Sequence, residues 1–362
     1  MNENVFCIIM AGGVGSRFWP VSRKDHPKQF LDILGTGKSF LQMTYDRFET
    51  IVPPQNFYIV TNKEYYSHVK QQLPFLDDSQ ILLEPIGRNT APCIIYANQK
   101  IKARNKNAKI IVTPSDHLIL ETDKFLNDIK KGLDFIENND SIITLGIKPT
   151  RPNTGYGYIQ IGVAVETKNS IYKVKTFTEK PNEEMAKIFV ESGEFLWNSG
   201  MFIWTLNVIE NAYKQFLPEI YNAFNSNFEK INSEKEEEII ETIYNDIKSI
   251  SIDYGIIEKT EGIHVIKSSF TWSDIGTWLS LYENKTKDAN DNVVSVNEAL
   301  IYETKSSLIY TTLKDKIYVV KGFSDIILVD TDDALLLIKK KDEQSIKQIV
   351  DDIKIENKEN FL

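Results

Sequence analysis

The sequence predicts an α/β protein with a mainly parallel central sheet, followed by a small all-β unit and a terminal helix. Apolar runs alternate with helix-like segments over roughly the first 150 residues, and short strand-like segments follow one another after about residue 290. Alternation of buried strands and helices is typical of layered α/β folds. We therefore expect two domains, over residues 1–285 and 286–362.

The strands of the first domain are indicated by continuous apolar runs. Val5 to Met10 is such a run, and it ends in glycines, as expected of a strand buried on both faces of a parallel sheet. Similar runs recur downstream: 56–61, 109–117 and 141–147. Apolar residues at a spacing of three to four predict helices between them: 39–51, 89–105 and 124–139. Residues 150–230 are less regular.

After about residue 290 the pattern of apolar residues changes. Short apolar stretches such as "SLIYTT", "KIYVVK" and "DIILVD" follow one another without helical periodicity. Such spacing is typical of a small β unit, which could be a β-helix coil or a meander. Residues 342–355 predict a terminal helix.

Composition excludes some partners. The net charge is −9 and the pI is about 5.2, which argues against binding nucleic acid or an anionic membrane surface. No stretch approaches 18 apolar residues, so no membrane span is expected. Two cysteines give neither a disulfide framework nor a metal spacing, and we expect free thiols in a cytoplasmic protein.

The loop over residues 11–17 is the first candidate for chemistry. Its glycines, Gly12, Gly13 and Gly15, allow backbone N–H groups to approach an anion, and Arg17 and Lys28 add cationic donors. The third glycine of a dinucleotide fingerprint is missing, because Phe18 follows Arg17. A solvated surface is the alternative, but prolines interrupt the cations, and phosphate binding is favoured.

Three further places in the sequence are candidate sites. "GTGKS" at 35–39 lacks the spacing and the strand of a Walker A loop, and we interpret it as a turn before a helix. Asp116, after a buried run, is placed as a Mg²⁺ ligand would be, although a turn or capping role is equally open. Asp274 lies between two tryptophans in "WSDIGTW", where a capping role also remains open.

The motifs taken together resemble one family. "AGGVGSRFWPVSRKDHPKQF", "EPIGRNTAP", "PSDH", "GYGYI", "FTEKP", "WNSGMF", "DYGIIEK" and "WSDIGTW" occur in the order found in mannose-1-phosphate guanylyltransferases, over about residues 5–283. The resemblance implies a Rossmann-like nucleotidyltransferase domain followed by a left-handed β-helix-like unit. It implies that GTP and α-D-mannose 1-phosphate react to give GDP-mannose and diphosphate, with Mg²⁺ as cofactor. It further implies the short, monofunctional form without an added isomerase domain. We also expect a homodimer, whose surface could be formed by apolar rows of the C-terminal unit, although an internal core is the alternative for these residues: Leu308, Ile309, Ile326, Ile327 and Leu328.

The resemblance also implies site residues by matching position. The nucleotide is expected to bind residues of the N-terminal third: Ala11, Gly12, Gly13, Gly15, Ser16, Arg17, Glu84, Gly87, Asn89 and Ser115. The sugar phosphate is expected to bind four residues: Gly155, Glu179, Lys180 and Asn198. Arg17 and Lys28 would stabilise the departing diphosphate, and Asp116 and Asp274 would hold Mg²⁺. Two alternatives remain: a related hexose-1-phosphate nucleotidyltransferase, and a non-catalytic subunit that senses a sugar nucleotide.

Overall fold

A computed structural model describes residues 2–166 and 170–362 of the chain. The helices are α1 Phe40–Phe48, α2 Tyr66–Gln72, α3 Thr90–Arg104, α4 Thr122–Asn138, α5 Glu183–Ser192, α6 Leu206–Phe216, α7 Pro218–Asn225, α8 Phe228–Ile231, α9 Glu236–Asp246, α10 Ile252–Gly255, α11 Trp278–Asn284 and α12 Ile346–Ile355. The strands are β1 Val5–Met10, β2 Phe57–Asn62, β3 Ile81–Glu84, β4 Lys109–Pro114, β5 Leu118–Ile119, β6 Ile143–Ile147, β7 Tyr158–Glu166, β8 Ile171–Thr178, β9 Phe195–Thr205, β10 His264–Lys267, β11 Trp272–Ser273, β12 Val293–Ser295, β13 Glu298–Tyr302, β14 Leu308–Thr311, β15 Ile317–Lys321, β16 Ile326–Asp330 and β17 Leu335–Lys339.

The chain divides into two compact units. The first comprises Met1–Gly12, Gln42–Ser115 and Ile119–Trp272, and the second comprises Gly13–Leu41, Asp116–Leu118 and Ser273–Leu362. The C-terminal strands thus share a unit with residues 13–41, and the predicted domain boundary after residue 285 stays a prediction. No helix in the described part of the chain is both long enough and apolar enough to span a bilayer.

The first unit is built on one large sheet. Over the described residues its strands follow the order β3-β2-β1-β4-β9-β6-β10-β8-β7. The pairs β2–β3, β1–β2, β1–β4 and β6–β10 are parallel, as the apolar runs predict. Because β1, β2 and β3 are parallel neighbours, their carboxyl ends meet at one edge, where ligands bind in folds of this class.

Helices cover both faces of this sheet. Phe202 and Trp204 of β9 share a buried cluster with residues of α3, α6, α7 and α9. The intervening Ile203 faces α4, where a Cβ added to Gly132 would lie 2.5 Å from its Cδ1 atom. Since successive side chains of a strand point to opposite faces, the two helix layers lie on opposite sides of the sheet. The predicted α/β fold is confirmed.

Strand β9 is the main departure from the expected pattern. The aromatic-rich segment around Trp197 was expected to be irregular, but it forms an 11-residue strand in the middle of the sheet. It pairs antiparallel with β4, β6 and the start of β7, so the sheet is mixed rather than parallel throughout. Strand β9 contains Asn198, one of the residues predicted to bind the sugar phosphate.

The second unit contains the β-helix-like part. Strand β14 pairs in parallel with β12 and β16, and β13 pairs in parallel with β15, so successive coils stack rather than form a meander. The last strand, β17, reverses and pairs antiparallel with β16. The apolar residues Leu308 and Ile327 are buried against Phe18 and Trp278 in one core cluster. The β-helix-like unit and the terminal helix α12 are confirmed.

Candidate active site

The loop predicted to bind phosphate begins where β1 ends. Ala11 is fixed in the first unit, because its N–H donates to the Val60 carbonyl at 2.8 Å and its carbonyl accepts from the Thr61 hydroxyl at 2.7 Å. Gly13 and Val14 are exposed, and a Cβ on Gly13 would meet nothing within 4 Å. The loop backbone is therefore open to an anion at its tip and anchored at its start.

At position 15 of this loop, both the backbone conformation and the packing require glycine. Its φ of +66° is unfavourable for other residues, and a Cβ there would lie 2.6 Å from the Cβ of Lys28. Ser16, Arg17 and Phe18 follow in a 3₁₀ turn, in which Arg17 is exposed and Phe18 is buried. The glycine thus allows Lys28 to pack directly under the loop.

Lys28 is a buried cation. Its side chain is 3% exposed, and its Nζ donates to the Asp116 carboxylate at 2.8 Å, the Asp116 carbonyl at 3.0 Å and the Asp274 carbonyl at 2.6 Å. The rings of Phe18 and Phe40 lie 5.8 and 5.1 Å from the same nitrogen. The second unit therefore brings together three of the four predicted catalytic residues, and the fourth, Arg17, is exposed in its 3₁₀ turn.

The two aspartates differ in their surroundings. Burial would raise the pKa of Asp116, but the Lys28 ammonium, with smaller contributions from His117 and hydrogen bonds, holds that pKa below its usual value. The Asp116 side chain is still 34% exposed. Asp274 accepts a hydrogen bond from the Gly276 N–H at 3.1 Å, and the next residue, the fully buried Ile275, has a φ of +41°. Such a backbone conformation is costly for a β-branched residue and is typical of functional sites.

The same aspartates are the candidates for a metal site. Within residues 2–166 and 170–362, no group of three or more His, Cys, Asp and Glu side chains could hold a metal ion. Mg²⁺, however, commonly takes one or two carboxylates from a protein and completes its shell with water and substrate phosphates. The donor set of Asp116 and Asp274 fits a cation of this type when phosphates are bound.

A second group of predicted residues lies at the carboxyl end of β3 and directly after it. Glu84 is 5% exposed; burial raises its pKa to about 7, although a 2.9 Å hydrogen bond from the Tyr244 hydroxyl works in the opposite direction. A Cβ on Gly12 would lie 3.5 Å from the Oε2 atom of this carboxylate. Glu84 is thus aimed at the start of the phosphate loop, and sequence reasoning gave no signal for its partner Tyr244.

The remaining nucleotide candidates vary in exposure. Gly87 and Asn89 are exposed, and Asn89 begins α3 with a φ of +69° while its side chain accepts from the Thr90 N–H. Ser115, by contrast, is buried, and its carbonyl accepts from the Thr44 hydroxyl at 2.9 Å. Ser115 therefore supports the backbone before Asp116, whereas Gly87 and Asn89 are accessible to a ligand.

The predicted sugar-binding residues form a cluster in the first unit. Glu179 and Lys180 make an ion pair of 2.7 Å, in which the Glu179 side chain is mostly buried and Lys180 is exposed, with a φ of +45°. The Asn198 amide accepts from the Thr144 hydroxyl at 3.1 Å and donates to the Asp253 carboxylate at 2.9 Å. The geometry offers adjacent donors and acceptors of the kind that hydroxyl groups of a sugar require.

Two residues of this cluster were missed by sequence reasoning. Burial first, and then the negative charge of Glu179, raise the pKa of Asp253 to about 7. The only signal was its place in "DYGIIEK", in the first turn of α10 after the Ser251 cap. Gly157, not the exposed Gly155, lies against Glu179, since a Cβ there would come within 2.4 Å of its Oε2 atom. Gly155 instead donates its N–H to the Asn153 side chain.

The turn at 35–39 has the structure expected of it. The Asp32 carboxylate accepts hydrogen bonds from the backbone N–H groups of Thr36, at 2.9 Å, and Gly37, at 2.7 Å. These are the N–H groups that a phosphate loop would have to keep for its ligand. The "GTGKS" segment is therefore a turn closed by an internal carboxylate.

The chain is similar to known proteins over nearly its whole length. Residues 6–291 match the family model described as Nucleotidyl transferase. A "Mannose-1-phosphate guanylyltransferase" of Escherichia coli is 34% identical, over 97% of this chain and 76% of the relative. A protein of the same name from Salmonella montevideo is 36% identical, over 98% of this chain and 75% of the relative. The crystal structure of a Thermus thermophilus protein, described as a mannose-1-phosphate geranyltransferase, matches with a TM-score of 0.85 at 28% identity, and covers 97% of this chain and 100% of that one.

Proposed function

Because the chain belongs to the nucleotidyl transferase family, in its mannose-1-phosphate guanylyltransferase branch, we propose that it joins GTP and α-D-mannose 1-phosphate. The products are GDP-mannose and diphosphate. The observation that carries the proposal is the buried contact of Lys28 with Asp116 and Asp274, which gathers one cation and two carboxylate-bearing residues, with Lys28 packed against Gly15 of the phosphate loop. The chain is accordingly a nucleotidyltransferase.

The chemistry requires positioning more than acid–base catalysis. A phosphate oxygen of mannose 1-phosphate attacks the α-phosphorus of GTP, a new P–O bond forms, and the bond from the α-phosphorus to the bridging oxygen breaks. Diphosphate leaves with that electron pair. The attacking phosphate, whose second pKa is about 6, is already mostly dianionic near pH 7, so no general base is needed. What the protein must supply is alignment and compensation of negative charge.

The residues that face the phosphates have two roles in this proposal. The backbone of Ala11, Gly12 and Gly13 and the exposed Arg17 hold the triphosphate. Asp116 and Asp274 would hold Mg²⁺, which when bound neutralises charge on the reacting phosphates. Each of these assignments rests on the location of the group: an open loop backbone, an exposed guanidinium, and two partly exposed carboxylates.

Substrate selection is assigned to the first unit. The ionised Glu84 carboxylate accepts from donor groups of guanine or ribose, with Gly87 and Asn89 nearby in sequence. Glu179 and Asn198 accept from and donate to mannose hydroxyls, and Lys180 pairs with the sugar phosphate. The support is that the Glu84 and Asn198 side chains are each held by a second side chain, which fixes the direction of their hydrogen bonds.

The protein is further proposed to act as a cytoplasmic homodimer. The support for a dimer is an exposed apolar surface on β13 and β15, where Leu300 and Val319 are register partners and are 46% and 61% exposed. Exposed apolar patches of this kind often mark interfaces between proteins. Light scattering after size exclusion tests the dimer, and a monomeric mass at micromolar concentration contradicts it.

Diphosphate release from GTP and mannose 1-phosphate tests the function. We expect turnover in the wild type and a loss of at least about 100-fold in Asp274→Ala and Asp116→Asn, since charge compensation contributes several kcal/mol to such reactions. Asp332→Asn, a change at an exposed aspartate of the C-terminal unit, is the matched control and should retain activity. Near-normal turnover of Asp274→Ala would remove the metal assignment. Competition between nucleotides and between hexose 1-phosphates distinguishes this function from transfer to another hexose 1-phosphate or from another nucleotide.

A further inference from the structure

The ammonium group of Lys28 is fully occupied by the protein. A lysine has three N–H donors, and three oxygen acceptors lie within 3.0 Å of Nζ: the carboxylate and carbonyl of Asp116 and the carbonyl of Asp274. No proton of this ammonium is left to donate to a phosphate while these contacts persist. In this structure Lys28 therefore binds the Asp116 carboxylate, which is proposed to hold the metal, and the main-chain carbonyls of both aspartates.

The surroundings keep the ammonium in this place. The side chain is 3% exposed, the rings of Phe18 and Phe40 lie against it, and Gly15 packs on its Cβ without a side chain of its own. A buried cation is stable only when it is paired. Of its three acceptors, only the Asp116 carboxylate carries a formal negative charge, so Asp116 and Lys28 compensate each other.

We propose that Lys28 is the resident counter-ion of Asp116, and that it holds down the affinity for a divalent cation until a nucleotide binds. A metal ion bound by Asp116 would share that carboxylate's negative charge with Lys28, which contacts one of its two oxygens, and the charge of the metal would repel the ammonium at close range. A bound triphosphate offers Lys28 new acceptors and adds negative charge. Nucleotide and metal are then coupled, each raising the affinity for the other.

This inference rests on the assignment of Asp116 as a metal ligand under the proposed function. Lys28 is accordingly a positioning residue that acts through Asp116 and the backbone of Asp274. If the role of Lys28 is purely structural, its replacement should weaken metal binding, because Asp116 and Asp274 are no longer held in place. The counter-ion role predicts the opposite sign, and this difference makes the inference testable without turnover.

The test measures Mn²⁺ binding to nucleotide-free protein by the electron paramagnetic resonance signal of free Mn²⁺. We expect Lys28→Met to bind Mn²⁺ about tenfold more tightly than the wild type, because a nearby like charge has been removed. Lys28→Arg, which keeps the charge, is the matched control and should show no tightening. Adding GTP should increase Mn²⁺ affinity strongly in the wild type and much less in Lys28→Met. Unchanged or weaker Mn²⁺ binding by Lys28→Met would overturn the inference.

A second measurement covers the case in which Lys28→Met does not fold. The Lys28 ammonium of the wild type is observed by ¹H–¹⁵N correlation, in which a buried, hydrogen-bonded ammonium exchanges slowly enough to be seen. Addition of Mg²⁺ with a non-hydrolysable GTP analogue should shift its signal, and an unshifted signal at saturation would refute the exchange of partners. Failure of the proposed function would instead show as absent GDP-mannose formation with the Mn²⁺ comparison intact.

Discussion

Replacing Asp253 by asparagine should stabilise the protein at alkaline pH. Burial and the neighbouring Glu179 raise the Asp253 pKa from 3.8 to about 7, whereas the unfolded chain keeps the ordinary value. Between these values the folded state binds the proton more tightly, so wild-type stability falls as the pH rises through the window. A difference of 1 between the folded and unfolded pKa corresponds to about 1.4 kcal/mol, so a rise from 3.8 to about 7 gives an upper limit of about 4 kcal/mol. Because the side chain is only partly buried, we expect a gain of about 2 kcal/mol at pH 8.

Urea unfolding of the wild type and Asp253→Asn at pH 8 and pH 5 measures this effect. Asparagine still accepts the hydrogen bond from Asn198, so the change isolates the charge. The gain should fall to less than half at pH 5, because the Asp253 carboxyl group of the folded protein is still mostly protonated at that pH. Asp78→Asn is a control of opposite sign, since hydrogen bonds from Tyr66 and Lys70 lower the Asp78 pKa. An equal effect of Asp253→Asn at both pH values would refute the reasoning.

Three further predictions follow from single contacts. Tyr244→Phe removes a donor that lowers the Glu84 pKa, so the acid limb of kcat/KM for GTP should move upward from about pH 7; an unmoved limb in the pH profile would separate Glu84 from nucleotide binding. Gly15→Ala should cost about 1–3 kcal/mol in urea unfolding, because φ is +66° and Lys28 lies in contact, and an unchanged midpoint would contradict that packing. Asp128→Ala should cost about 3–5 kcal/mol, since the fully buried carboxylate is paired and hydrogen-bonded, and a loss below about 1 kcal/mol in the same assay would show that the pair is dispensable.

The sequence predicts best those elements whose local pattern and burial agree. Strand β1 and helices α3 and α4 are recognisable because their apolar runs or apolar faces are followed by glycine or asparagine. Strand β9 could not be recognised in this way, because Asn198, Ser199 and Gly200 interrupt its apolar residues. Its strand conformation is imposed by antiparallel pairing with β4 and β6, which lie far away in the sequence.

The candidate site shows the same division between local and long-range information. Lys28, Asp116 and Asp274 can each be selected from a motif, but their common contact joins positions up to 246 residues apart. The partner of Glu84, Tyr244, lies 160 residues away on a helix that sequence reasoning interprets as a charged surface helix. A single sequence indicates residue chemistry at strand ends, whereas the pairing that sets pKa values and hydrogen-bond direction requires the folded chain.

A substrate competition tests the central claim most directly. The protein is given Mg²⁺ with equimolar ATP, GTP, CTP and UTP and equimolar mannose, glucose and galactose 1-phosphates, and the sugar nucleotides formed are identified by mass and chromatography. We predict GDP-mannose as the dominant product, with release of one diphosphate for each molecule formed. A dominant UDP- or ADP-sugar, or a dominant GDP-glucose, would contradict the assignment, and no sugar nucleotide at all would favour a non-catalytic sensor.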